Sequence, residues 1–186
     1  VRRPLPETTN IDMEIKIKKL RDDAVLPVRK TDGAIGFDLA VPCDICIEHK
    51  RQIIPLGFAL ELPKGIEAKV EPRSGFSSKG IKGFELSVAQ ERNAMGISNQ
   101  KKLFCRIDEA EYFNADVLVG KIDPDYRGEC GVIILNHEPG KPFLIKAGTR
   151  IAQMTFYAVA PVSGFNVVEE LSETHRGACG FGHTGA

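Results

Sequence analysis

Tryptophan is absent, and net charge is lacking too: 25 basic residues balance 25 acidic ones. Binding to nucleic acid draws on neutralised phosphates and usually leaves a basic excess. Without one, nucleic acid is not an expected partner, whereas a small polyanion needs only a local basic cluster. No apolar run approaches the roughly 20 residues of a membrane span, and no signal-peptide core is visible, so no membrane partner is expected. The cysteines, Cys43, Cys46, Cys105, Cys130 and Cys179, are odd in number and irregularly spaced. That argues against a disulfide framework and for a reducing, cytoplasmic or otherwise intracellular compartment. Cys43-Asp44-Ile45-Cys46 has the outline of a zinc half-site, but no second pair follows it. On a strand its two thiols would also face opposite ways.

What the chain does have is short apolar segments of period two. Hydrophobic residues make up 42% of its 186 residues, enough for one domain with a real core. Ile15 and Ile17 alternate with Lys16 and Lys18. Phe58, Leu60 and Leu62 alternate with Ala59 and Glu61, and residues 67–70 continue in that style. Val132 to Leu135 and Ile151 to Val159 are more fully apolar. Turn chemistry separates these runs at Lys30-Thr31-Asp32-Gly33, Leu62-Pro63-Lys64-Gly65, Glu138-Pro139-Gly140 and Lys146-Ala147-Gly148. Many short strands with frequent turns predict an all-β sandwich or barrel. Residues 1–12 are polar and read as a flexible arm or an added remnant. Residues 81–116 are less strictly alternating and read as an insertion in a connection. Within it, Asp108 to Phe113 suits a helical turn or two.

Four glycine-rich polar segments interrupt the strand pattern. The first is Ala34-Ile35-Gly36-Phe37-Asp38-Leu39. The second runs Pro72-Arg73-Ser74-Gly75-Phe76-Ser77-Ser78-Lys79-Gly80. Its guanidinium, hydroxyl and open backbone suit phosphate oxygens, although alone it reads more readily as a tight turn with a surface arginine. The third, Gly120-Lys121-Ile122-Asp123-Pro124-Asp125-Tyr126-Arg127-Gly128, offers Asp123 as a general base on water; alone it is an Asp-Pro turn. The fourth, Arg176 to Gly185, contains Gly180-x-Gly182-x-x-Gly185. Neither a preceding strand nor a following βαβ unit is expected around it, so the dinucleotide fingerprint is not the expected reading. A mobile arm fits better, with Arg176, Phe181 and Thr184 equipping it to order over an anionic, aromatic ligand.

Together and in this order, with Arg150-Ile151-Ala152-Gln153-Met154 as a fifth match, these segments resemble the homotrimeric dUTP pyrophosphatase (dUTPase) family. The resemblance spans about Ile15 to Gly185, interrupted around 81–116. It implies a β jelly roll over residues 13–171, a C-terminal arm over 172–186, and a homotrimer with active sites at its interfaces. The implied reaction is hydrolysis of dUTP to dUMP and pyrophosphate with Mg2+. By resemblance, Asp123 activates the water that attacks the α-phosphorus. Arg73, Ser74 and Gly75 hold the phosphate chain, supported by Arg150 and Gln153. Arg176 reaches the γ-phosphate with Thr184 and Gly185 beside it. Tyr126 packs on the deoxyribose and leaves no room for a 2′-hydroxyl. Strands before Asp123 and after Gly128 form a hairpin around uracil, with backbone near Val117, Lys121, Ile122 and Gly131 meeting its edge. Phe181 and neighbouring Gly182 close over the base. Magnesium rides on the triphosphate, and Asp38 holds one of its waters.

Several departures stand out. Cys179 occupies a usual glycine position, Phe37 a usual tyrosine position, and Val117 a position where some members have asparagine. The interval between Ser74 and Asp123 is longer than usual, which makes the insertion a surface elaboration or, on a sharper reading, a lid, an interface extension or a docking site for a protein regulator. The nearest rival, dCTP deaminase, shares the fold but needs a glutamate in the strand after Gly128. Ile133 stands there and cannot move protons, which also disfavours a bifunctional deaminase. A non-catalytic nucleotide-sensing protein is a third reading, against which the intact Arg73, Asp123, Tyr126 and Arg176 argue. A capsid-like or lectin-like jelly roll fits the motifs least.

Overall fold

In a computed structural model the structure describes residues 13–90, 101–105 and 109–178. Fourteen strands and one short helix follow in order: β1 (Lys16–Lys19), β2 (Phe37–Ala40), β3 (Ile45–Ile47), β4 (Arg51–Pro55), β5 (Phe58–Glu61), β6 (Ile66–Glu71), α1 (Ser74–Lys79), β7 (Ile81–Gln90), β8 (Lys101–Cys105), β9 (Glu111–Phe113), β10 (Ala115–Leu118), β11 (Gly120–Ile122), β12 (Gly131–Asn136), β13 (Phe143–Ile145) and β14 (Arg150–Ala158). This is the expected all-β fold of jelly-roll type.

Every ladder between these strands is antiparallel. The sheet orders are β1-β5, β10-β12-β4, β11-β6-β14-β2 and β3-β13-β7-β8, with β9 also on β7. The period-two sequence pattern is what allows this. Along β12, Val132, Ile134 and Asn136 are buried while Gly131, Ile133 and Leu135 are only partly covered. Leu39, Ile54, Phe58, Val70, Val132, Phe143, Ile151 and Met154 meet in one core. Phe58 and Phe143 are fully buried, each contributing roughly 2–3 kcal/mol of apolar transfer energy.

Two expectations for residues 81–116 are corrected. Glu111–Phe113 is a strand, not a helical turn: it pairs with Ile81 to Gly83 of β7. Phe113 is buried there, stacked on Phe143 with ring centroids 4.2 Å apart. The ends of the interval also belong to the main fold. β7 ladders onto both β9 and β13, and β10 pairs with β12. The outer strand of this fabric is β8, which among the described residues pairs with β7 alone. The expected arm at residues 1–12 lies outside the described residues.

Candidate active site

The second motif forms helix α1, which the sequence did not suggest. Ser-Gly-Phe-Ser-Ser-Lys has little helix propensity. The turn is held instead by Phe76 and Ser77 amides donating to the Arg73 carbonyl, at 2.8 and 3.0 Å, and by the burial of Phe76. Gly80 ends it with φ of 83°, where a Cβ would lie 2.2 Å from the Phe113 carbonyl oxygen. Arg73, Ser74 and Gly75 thereby stand at the rim of a cavity of about 610 Å3.

Asp38 organises that cavity. One of its carboxylate oxygens accepts from Arg73 Nε at 2.8 Å and the other from Arg150 Nη1 at 2.6 Å. Asp38 itself is locked by paired backbone hydrogen bonds with Val28. Arg73 also donates to the Arg150 carbonyl at 3.4 Å. Two cations are thus held side by side facing solvent. Gln153 Nε2 donates to the Pro72 carbonyl at 3.3 Å. Its Oε1 then lies against Gly36, where a Cβ would come within 2.8 Å, so the glycine of the first motif makes room for the glutamine of the fifth. Lys30, Glu71, Thr155 and Tyr157 also line the cavity. None was singled out from sequence, although the alternation 153, 155, 157 on β14 places all three on one face.

A second, narrower cavity of about 190 Å3 brings together Lys121, Ile122, Tyr126 and Gly131 with Ile53, Val70, Leu118, Gly120, Glu129, Cys130 and Ile133. The hairpin framing it differs from expectation. The strand that pairs with β12 is β10, with Val117 opposite Ile134. β11, immediately before Asp123, leaves that sheet and pairs with β6. The chain therefore opens between β10 and β11, and the cavity is the resulting gap. The Val117 side chain is buried in the core rather than lining it. Lys121 Nζ is drawn off to Glu67 at 3.0 Å, which leaves the Lys121 main chain to face the gap. Ile133 contributes an aliphatic wall.

Asp123 follows β11 in an exposed turn closed by the Tyr126 amide on the Asp123 carbonyl at 3.1 Å. Its carboxylate makes no hydrogen bond or ion pair among the described residues. Tyr126 leans over Gly128, where a Cβ would sit 2.3 Å from the phenol oxygen.

The two cavities share no lining residue. On β6, Val70 lines the narrow one and its neighbour Glu71 the wide one, and successive strand residues face opposite sides of a sheet. Arg176 lies exposed on the strandless segment after β14. Phe181, Gly182, Thr184 and Gly185 lie outside the described residues. Among the described residues no three His, Cys, Asp or Glu cluster as a metal cage, and no helix is long and apolar enough to cross a membrane.

The dUTPase family model matches residues 22–94 and 109–185, leaving 95–108 unmatched. A deoxyuridine 5'-triphosphate nucleotidohydrolase of Hydrogenobaculum sp. (strain Y04AAS1) is 38% identical over 177 residues, 93% of this chain and 99% of that protein. One from Nautilia profundicola is 36% identical over 176 residues, again 93% and 99%. Among solved structures, a mutant of the Staphylococcus bacteriophage 80alpha dUTPase with dUpNHpp aligns with a TM-score of 0.69 at 22% identity, covering 93% of this chain and 99% of that one. A mutant dUTPase from phage phi11 of S. aureus, described with a structural Mg(II) ion, aligns at 0.61 and 18% identity, covering 85% and 98%. At such identities these two structures speak for the fold.

Proposed function

This chain belongs to the dUTPase family, and on that premise we propose how its residues divide the hydrolysis of dUTP to dUMP and pyrophosphate. Asp123 takes a proton from water as the oxygen attacks the α-phosphorus; the bond to the bridging oxygen breaks and pyrophosphate leaves. An exposed carboxylate with no other partner among the described residues suits a base that must accept a proton. Arg73 and Arg150, preset by Asp38, bind the phosphate chain, with Ser74, Gly75 and Gln153 beside them. Positive groups fixed before the reaction stabilise developing charge without reorganisation.

The narrow cavity takes the base. Its walls are backbone and aliphatic side chains, with Lys121, Tyr126 and Glu129 also lining it. Cytosine presents donor and acceptor the other way round at one end, so it would leave backbone groups unpaired there. Thymine would be rejected sterically, by the bulk of its methyl. Tyr126 forms the sugar wall. Ile133 cannot act as acid or base, which is the observation against deamination.

Magnesium fits this donor set as an ion carried by the triphosphate. No carboxylate cage holds it among the described residues, and Mg2+ commonly keeps several waters and one or two protein ligands. Both Asp38 oxygens accept from guanidinium groups, yet each retains a lone pair for a metal-bound water. When bound, the ion neutralises phosphate charge. Arg176, Phe181, Gly182, Thr184 and Gly185 belong to the arm that closes over the ligand. A reducing intracellular setting accords with Cys43, Cys46 and Cys130 being free thiols.

The observation that carries the reading is a cavity holding two arginines on one carboxylate, beside a narrow cavity lined by Ile122 and Tyr126 of the motif that carries Asp123. Pyrophosphate release from dUTP, dCTP, dTTP and UTP tests it, with Asp123→Asn as control. Release from dUTP alone, falling on the order of 10³-fold or more in the variant, is expected. Equal activity on all four nucleotides sinks it.

A further inference from the structure

Glu129 lies two places beyond Arg127 in the third motif, and nothing above gives it a role. Its side chain is half-buried at the wall of the narrow cavity, and its carboxylate is engaged within the chain. Oε1 accepts the Gly57 amide at 2.7 Å, with Arg21 Nη1 at 3.5 Å. Gly57 sits at the β4–β5 turn with φ of 78°, and its carbonyl accepts the Leu20 amide at 2.7 Å. Main-chain bonds flank this contact: Leu56 N to the Cys130 carbonyl at 3.0 Å and Cys130 N to the Phe58 carbonyl at 2.8 Å. The segment around Glu129 is therefore strapped to the turn by both backbone and side chain. The Glu129 carbonyl in turn accepts the Tyr126 hydroxyl at 3.1 Å, and that ring leans over Gly128 at the edge of the base cavity.

We infer that Glu129 is a positioning residue for sugar selectivity. It holds its own carbonyl where the Tyr126 hydroxyl must donate, and so fixes the wall that excludes a 2′-hydroxyl. This rests on the proposed dUTP hydrolysis and deepens it. A ring held by one hydrogen bond is only as well placed as the acceptor. The carboxylate's bond to the Gly57 amide stops the 129 peptide from rotating between its neighbours. Glutamine keeps an acceptor of the same reach for Gly57 and loses only the charge facing Arg21. Alanine removes the acceptor, and aspartate is one methylene too short.

The test is the ratio of kcat/KM for dUTP to that for UTP, each pair measured on one preparation, so that the folded fraction cancels. E129A and E129D should each lower the ratio about tenfold, the scale of one charge-assisted hydrogen bond, through KM for dUTP more than kcat. E129Q should stay within about twofold of wild type, since its amide oxygen still accepts from Gly57. Y126F should lower the ratio similarly, and E129A added to Y126F should change it little further, because the two act through one bond. An unchanged ratio in E129A and E129D overturns the assignment. So does an E129Q loss equal to that of E129A, or full additivity with Y126F. A wild-type protein without preference for dUTP overturns the functional reading itself, a result distinct from a preference that survives E129A.

Discussion

Gly75 has no reason within its own chain to be glycine. Its φ is not positive, and a Cβ there would meet nothing within 4 Å. It also occupies a helix, where alanine is favoured by about 1 kcal/mol. The open space must then serve something outside the chain, and the adjoining Arg73 points to a phosphate. Gly75→Ala should therefore keep or raise Tm while kcat/KM for dUTP falls on the order of 10- to 100-fold, as expected when a methyl displaces a reacting group by about an ångström. Thermal melts and initial rates check both halves, and a destabilised but fully active variant would contradict the argument. Cys130 makes a different residue-scale case. Burial, with Glu129 adding to it, pushes its thiol up from 9.0 to about 11. A proton held more tightly in the folded state stabilises fully below pH 9 and is lost as pH rises toward 11. Tm should therefore fall more steeply across that window in wild type than in Cys130→Ala, and parallel curves would contradict it.

At the scale of elements, the sequence disclosed what periodicity can carry. β5, β6, β12 and β14 fall where apolar residues alternate or cluster, because one face of each meets the core. α1 was illegible because burial of Phe76, not propensity, holds it. β9 was illegible because Glu111 and Tyr112 are exposed and Phe113 alone marks its inner face. Motif order likewise singled out Arg73 and Gln153, which the structure brings to one cavity. It could not show that β11 deserts β10 and β12 for β6, because periodicity within a strand does not say which strand lies beside it. The β7–β8 hairpin yields a prediction of its own. Among the described residues β8 pairs only with β7, and the family match skips residues 95–108. Replacing 95–108 by a short Gly-Ser turn removes β8 (Lys101–Cys105) and should leave Tm within a few degrees, since the ladder lost is the one at the β7 end remote from β9 and β13. The kcat/KM for dUTP should stay within about threefold, as surface changes remote from a site usually allow. Loss of either would assign the hairpin to the catalytic fold.

For the whole molecule, the decisive fact is that the arginine cavity and the base cavity do not meet. Val70 and Glu71, adjacent on β6, each line a different one. A nucleotide spans base and triphosphate continuously, whereas these two cavities share no lining residue and Val70 and Glu71 face opposite sides of β6. A symmetric assembly would join them by setting the narrow cavity of one copy against the wide cavity of the next. Repeating that contact around a closed ring would complete every site. The long exposed segment after β14, with Phe165 and Leu171 almost wholly uncovered, is the kind of surface that seeks a neighbour. This arrangement predicts complementation. Asp123→Asn and Arg73→Ala should each be inactive alone, since each spoils one half of every site. Unfolded together and refolded as a mixture, they should recover about a quarter of wild-type activity, the share of interfaces at which random mixing in a symmetric ring joins two intact halves. If each chain built its whole site alone, the mixture would stay as inactive as its parts.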